Sequence, residues 1–228
     1  MMRILYGICC AFLLLAAASA ASAEGNGAAP RLLYQGHGSL RIVTAEGKVI
    51  YVDPYAGEGY DLPADLILVS HGHQDHNKVE LIENRRDGCR VIYNTDALAE
   101  GEYKTYDLGY ATVEAVQAGN NRNHDISVCV GWLITLPGGI SVYATGDTST
   151  TDQMAELGSR DIHYAFFVCD GRFNMDMEEA VACAGLVHAR NSIPYHMSPG
   201  KLFDRERAEL FDVPNRLIIE AGEEITLE

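Results

Sequence analysis

Basic residues are scarce in this chain. Lysine and arginine total 17 against 32 aspartates and glutamates, a formal net charge of −15 over 228 residues. A surface this acidic repels phosphate backbones, which argues against nucleic acid as a partner. It leaves room for a small anionic substrate, because a bound metal sets its own local field. Also missing is any C-x-x-C pair. Beyond the first residues the cysteines are Cys89, Cys129, Cys169 and Cys183. Disulfides are open to them in an oxidising compartment, but scattered buried thiols are the simpler reading. No internal repeat, low-complexity tract or linker interrupts the chain, and after residue 23 no apolar stretch is long enough to span a membrane. One domain is therefore expected over residues 24–228.

The first residues are of another kind. "MMRILYGICCAFLLLAAASAASAEG" opens with one positive charge at Arg3, runs apolar from Ile4 to about Ala18, and closes on small residues at Ala21 and Ala23. This is the layout of a secretory signal peptide, residues 1–23, cut after Ala23. The run is short for a membrane span, and Cys9 and Cys10 precede most of it, the wrong place for a lipoprotein cysteine. The expectation is an exported protein, periplasmic or secreted, with no membrane contact after cleavage.

The rest alternates extended and helical patterns. "RLLYQGHGSLRIVTAEGKVIYVDP" reads as two or three short strands; "ADLILVS", "VIYN", "ATVEAVQAG", "HYAFFVCD" and "SIPYH" read as further strands. "VCVGWLITLPGGISVYATGD" is a hairpin turning on Pro-Gly-Gly. "MDMEEAVACAGLVHAR" has helical spacing, with Val181, Leu186 and several alanines available for a buried face, and "RLIIEAGEEITLE" suggests two last strands. Many strands first and helices mixed in later imply packed sheets covered by helices.

What stands out is "DLILVSHGHQDH". Three of the chain's eight histidines fall within six residues, directly after an apolar run. On an extended segment His71 and His73 face the same side, so both imidazoles can point at one ion. Asp75 and His76, past a turn at residues 72–74, can reach a second ion nearby. Imidazole and carboxylate suit zinc and tolerate manganese or iron. The remaining candidates to complete such a site are His124 in "NNRNHDIS", Asp147 at the end of "VYATGD" and His196 in "IPYHMSPG". A carboxylate at a strand end can bridge two cations. His163, inside a buried run, and His188, near a helix end, are expected to pack or cap. His37, between two glycines, either lines the pocket or packs beneath it.

Taken together, H-x-H-x-D-H at 71–76, then a histidine, then "GDT", then a late strand-end histidine, resemble the metallo-β-lactamase superfamily. "GHGSLRI", "ADLILVSHGHQDH", "CDGRFNMDMEEA" and "IPYHMSPGKLFD" look most like the branch that includes L-ascorbate-6-phosphate lactonase and many metal-dependent hydrolases. The resemblance implies a four-layer αββα sandwich, two mixed sheets covered by helices, with a dinuclear site at one edge. By position, His71, His73 and His124 would hold one metal, Asp75, His76 and His196 the other, with Asp147 bridging. Asp53 in "YVDP" matches an acidic position that supports the ligands from behind. His37 and Tyr195 are further candidates for the pocket or its support.

The implied activity is hydrolysis of a small ester, lactone or phosphodiester. A hydroxide bridging two divalent cations, zinc or else manganese or iron, would attack, Asp75 would orient it, and either Asp75 or a metal-bound water would return the proton. The alternatives are a true β-lactamase and a non-catalytic metal-binding or sensing protein on the same fold.

Overall fold

The computed structural model describes residues 28–228. The expected signal peptide, residues 1–23, lies outside them. One sheet contains β1 (Arg31–Gly36), β2 (Ser39–Val43), β3 (Val49–Val52), β4 (Ala64–Val69) and β5 (Arg85–Tyr93), with the late strand β14 (Glu224–Thr226) beside β1. After the helical turn α1 (Asn94–Ala97) and the ribbon of β6 (Leu98–Ala99) and β7 (Glu102–Tyr103) comes the second sheet. It comprises β8 (Thr105–Asp107), β9 (Thr112–Gln117), β10 (Val130–Thr135), β11 (Ser141–Ala144), β12 (Tyr164–Val168) and β13 (Asn191–Tyr195). Helices α2 (Gln153–Leu157), α3 (Met177–Val187) and α4 (Arg205–Ala208) complete an α/β sandwich.

Side chains of both sheets share one core. Tyr34 and Leu40 from the first meet Trp132 and Phe166 from the second, all of them fully buried. Both sheets are mixed, and their parallel pairs set where the loops gather. β3, β4 and β5 run parallel, as do β11, β12 and β13. Parallel neighbours end at the same edge of a sheet, so the segments after β3, β4, β11, β12 and β13 are brought together there, where open sheets place their ligands.

Three elements differ from the sequence reading. β5 was expected only at "VIYN", but it begins at Arg85. It is an edge strand with a register irregularity against β4, and most of its side chains are exposed, so polar residues hide it from periodicity. Of the two strands expected in "RLIIEAGEEITLE", only β14 forms; Arg216 makes a single bridge to Ser192. In α3, Leu186 is exposed and Val181 half-buried, while Ala180, Cys183, Ala184 and Val187 form the seam. The small side chains bring the helix close against β12. Asp176 caps it by accepting from the Glu179 N–H at 2.9 Å, and His188 ends it on left-handed backbone. Cys89, Cys129, Cys169 and Cys183 are free thiols.

His163 stands clear of every metal-ligating cluster among the described residues. Its Nδ1 is 3.2 Å from the Ser141 hydroxyl, and its N–H donates to the same oxygen, tying β11 to the start of β12. His163→Ala should lower unfolding free energy by about 1 kcal/mol. Denaturant titration reads that loss, and elemental analysis should show unchanged metal content.

Candidate metal centre

β4 delivers the first ligands, but not by strand alternation. The strand stops at Val69, and residues 70–76 form a bend and a turn closed by the His76 N–H donating to the His73 carbonyl at 3.1 Å. The bend puts the His71 and His73 rings 4.7 Å apart and those of His71 and His76 4.3 Å apart. His124 joins them from the loop between β9 and β10. His73 Nδ1 lies 3.1 Å from His71 Nε2 and 3.2 Å from His124 Nε2. Asp147, three residues past β11, inserts its carboxylate between this trio and a second group. One oxygen, Oδ2, is 3.3 Å from His124 Nε2 and 3.9 Å from His71 Nε2. The other, Oδ1, is 3.2 Å from His76 Nε2 and 3.3 Å from His196 Nε2. Asp75, His76, His196 and His37 each offer a ligand atom within 4.8 Å of the others.

The donor set fits divalent cations. His76 Nε2, His196 Nε2 and Asp147 Oδ1 are buried without a hydrogen bond although they stand little over 3 Å apart, because their angles are wrong for one. Unpaired buried polar atoms cost on the order of 1–3 kcal/mol each. His73 Nδ1 faces two ring nitrogens and can donate to only one. A cation in each group would satisfy these atoms. Nitrogen and oxygen donors without sulfur suit zinc, manganese and iron.

A relay fixes the rings. Asp53 follows β3 on left-handed backbone (φ 46°). Its Oδ1 accepts from the Ser70 N–H at 2.7 Å, and its Oδ2 accepts from the Ser70 hydroxyl at 2.6 Å and from His76 Nδ1 at 2.8 Å. With its proton given to Asp53, the Ser70 hydroxyl accepts from His71 Nδ1 at 3.0 Å. Both histidines thereby turn Nε2 toward Asp147, and one carboxylate orients a candidate ligand in each group. Asp53→Asn should weaken metal affinity by about 10–100-fold. Competition against a chelator of calibrated affinity measures it; unchanged affinity would leave Asp53 with a folding role only.

Electrostatics favour neutral imidazoles beside ionised carboxylates. Burial, with His76 and the neighbouring rings, pulls His71 down to about 2. Burial lowers His196 to about 4, with Asp147 opposing. For Asp147 burial opposes the charge, but His196, His76 and His71 outweigh it and hold the carboxyl well below its usual range. Burial likewise opposes Asp75, whose carboxyl is held low by His37 and His76. His76 is the exception: burial is overcome by Asp147 and Asp53, which raise it, so the metal-free site carries a proton there.

His37 and Tyr195 lie beneath the cavity. His37 is buried on left-handed backbone (φ 55°), packs a tilted ring against His196 with centroids 3.6 Å apart, and places Nε2 3.2 Å from Asp75 Oδ2. The Tyr195 hydroxyl accepts from the Gly146 N–H at 2.9 Å, bracing the turn that presents Asp147. The cavity itself, about 330 Å³, is lined by His73, Asp75, Asn123, His124, Asp147, Phe173 and His196. A larger groove of about 490 Å³ against α3 holds His188 but no metal-ligating cluster among the described residues.

Several supporting residues escaped the sequence reading. Asn121 accepts from the N–H groups of Asn123 and His124, both at 2.9 Å, and so fixes His124 in an otherwise loop-like run. Gly119 allows that loop its close approach: a Cβ there would meet three backbone atoms of residues 124–126 at 2.9 Å. Asp170 sits 3.7 Å from His196 Nδ1. "FFVCD" has the same form as "VYATGD", an apolar strand running into an aspartate, and that signal could have found it. Asn123 carried no signal, and Phe173 stood only as part of "CDGRFNMDMEEA".

A family model described as the beta-lactamase superfamily domain matches residues 31–196. A UPF0173 metal-dependent hydrolase of Anaeromyxobacter sp. (strain K) is 30% identical over 199 residues, covering 72% of this chain and 73% of that protein. One from Bacillus thuringiensis (strain Al Hakam) is 26% identical over 230 residues, covering 86% of this chain and all of the relative. Igni18, a metallo hydrolase of Ignicoccus hospitalis, superposes with a TM-score of 0.67 at 20% identity over 88% of this chain and 99% of its own.

Proposed function

Since this chain belongs to the metallo-β-lactamase superfamily of metal-dependent hydrolases, we propose that it is an exported dinuclear enzyme acting on a small ester, lactone or phosphodiester. His71, His73 and His124 would hold one cation, Asp75, His76 and His196 the other, and Asp147 both. Zinc is the first choice, with manganese and iron matching the same donors. When bound, the two ions would activate water near neutral pH and polarise the oxygen of the scissile bond.

The chain's own residues do the rest. Asp75 reaches the cavity wall while His37 holds its Oδ2 from beneath, which leaves the carboxylate oriented to take a proton from water and pass it to the leaving group. Asp53 and Ser70 keep the rings of His71 and His76 in place, so no reorganisation is needed as the reaction proceeds. Phe173 and Asn123 form the outer wall and narrow the approach to the ligands. The observation that carries this reading is Asp147, whose two oxygens each face a separate group of ligand nitrogens.

The test is metal content and turnover for protein beginning at residue 24, assayed with lactones, phosphodiesters and nitrocefin in Zn²⁺ or Mn²⁺. About two equivalents of metal and chelator-sensitive turnover are expected. Tight metal binding with no turnover would favour a non-catalytic metal binder, and nitrocefin cleavage a true β-lactamase. The signal-peptide layout of residues 1–23 supports export. Sequencing the N-terminus of protein recovered outside the cytoplasm should give Glu24; full-length protein retained inside the cell would overturn export.

A further inference from the structure

We propose that the cavity selects a substrate carrying a carboxylate or phosphate on an apolar body, with Arg172 and Phe173 as the recognition pair and Arg122 as a second cation. This rests on the hydrolase reading of the same site. A chain of net charge −15 repels anions at long range, so an anionic substrate needs local positive charge at the entrance. Phe173 lines the cavity with 41% of its surface exposed, and the Arg172 guanidinium lies 4.9 Å from its ring centroid. Arg122 belongs to the loop whose next residues, Asn123 and His124, line the cavity.

Among the described residues neither arginine pairs with a carboxylate, whereas Arg160, Arg190 and Lys201 elsewhere on the surface pair with Glu114, Asp161 and Asp204. The acids nearest them are engaged otherwise. Asp125 accepts from the Ser127 N–H and hydroxyl, both at 2.8 Å, and Asp176 caps α3. Asp170 faces inward and accepts from the N–H groups of Arg172 and Phe173, both at 2.7 Å. Asp75 and Asp147 face the histidines.

The pair also has a fixed place. Asp170 holds the backbone of both residues and stands beside His196, so the loop is tied to the metal ligands. Asn123 Nδ2 donates to the Phe173 carbonyl at 2.9 Å and joins the two loops across the wall. An exposed ring with an uncompensated guanidinium on it offers apolar surface and a planar oxyanion partner together. Neither arginine touches a metal ligand's ring, so both can be changed without disturbing the ions.

Paired esters test the proposal: neutral 4-nitrophenyl butyrate and anionic 4-nitrophenyl hemisuccinate, with wild type, Arg172→Gln and Arg122→Gln at equal metal content. Arg172→Gln should raise KM for the hemisuccinate about tenfold and leave kcat and the neutral ester within about twofold. Arg122→Gln should act the same way, more weakly. Wild-type preference for the neutral ester, or equal effects on both esters, would overturn anion selection. Binding of 4-nitrobenzoate by metal-loaded protein, followed by NMR, separates this from the hydrolase reading. Binding lost in Arg172→Gln, with no ester hydrolysed, upholds recognition and removes hydrolysis; absence of binding to wild type removes recognition.

Discussion

Asp147→Ala is expected to leave the purified protein with far less than the two equivalents of metal expected of wild type and to lower turnover by about three orders of magnitude or more, a barrier increase of at least about 4 kcal/mol. In the proposed assignment this carboxylate is the one ligand shared by both cations: its Oδ2 faces His124 and His71, and its Oδ1 faces His76 and His196. It is 3% exposed, so no water can replace it without a rearrangement of the turn that holds it. Its charge would also offset two cations held close together. Asp147→Asn keeps the shape and removes the charge; it should fold like wild type and lose metal nearly as completely. Elemental analysis of both variants decides the matter. Two equivalents retained in either would exclude a shared ligand at this position.

Chelation should lower the thermal midpoint by about 10 °C. A cation present at a thousand times its dissociation constant stabilises the native state by about 4 kcal/mol, and in a chain of this size each kcal/mol moves the midpoint by roughly 2–4 °C. The cause is local. Without cations, His76 Nε2, His196 Nε2 and Asp147 Oδ1 stay buried with no well-aligned hydrogen bond, and three imidazoles crowd at His73. The effect has a definite sign with pH. His76 holds a proton in the metal-free site, and a cation must displace it, so binding releases protons and strengthens as pH rises. The midpoint difference between loaded and stripped protein should therefore be larger at about pH 8 than at about pH 6. Scanning calorimetry at both values checks it. A difference that grew toward acid would contradict proton displacement at the ligands.

The residues of the cluster were legible as candidate ligands because most of them follow apolar strands. "DLILV", "VYAT" and "SIPY" announce a buried strand by composition, and the polar residues after each fall at the shared edge where the parallel strands end. His124 was harder, because nothing apolar introduces it; an asparagine three residues earlier does its positioning. The pairing of His71 with His73 was read from strand alternation, yet a bend performs it. β5 was undercounted for a related reason. An edge strand gains its place through backbone pairing, and side-chain pattern reports only burial. Arg172 and Phe173 fall within "CDGRFNMDMEEA", but nothing in that stretch marked them as cavity residues, since an exposed loop obeys no period. Their place depends on Asp170, which lies at the end of a different strand from any ligand that the motif supplies.

The ligands come from both sheets and are spread from His71 to His196. Before β13 docks on β12 and the His196 N–H reaches the His37 carbonyl, a nascent or refolding chain could assemble no more than the three-histidine half. Entropy makes such contacts late. Capture of a second ion would thus report the docking of β13, and its rate could be followed by a metal-responsive dye during refolding.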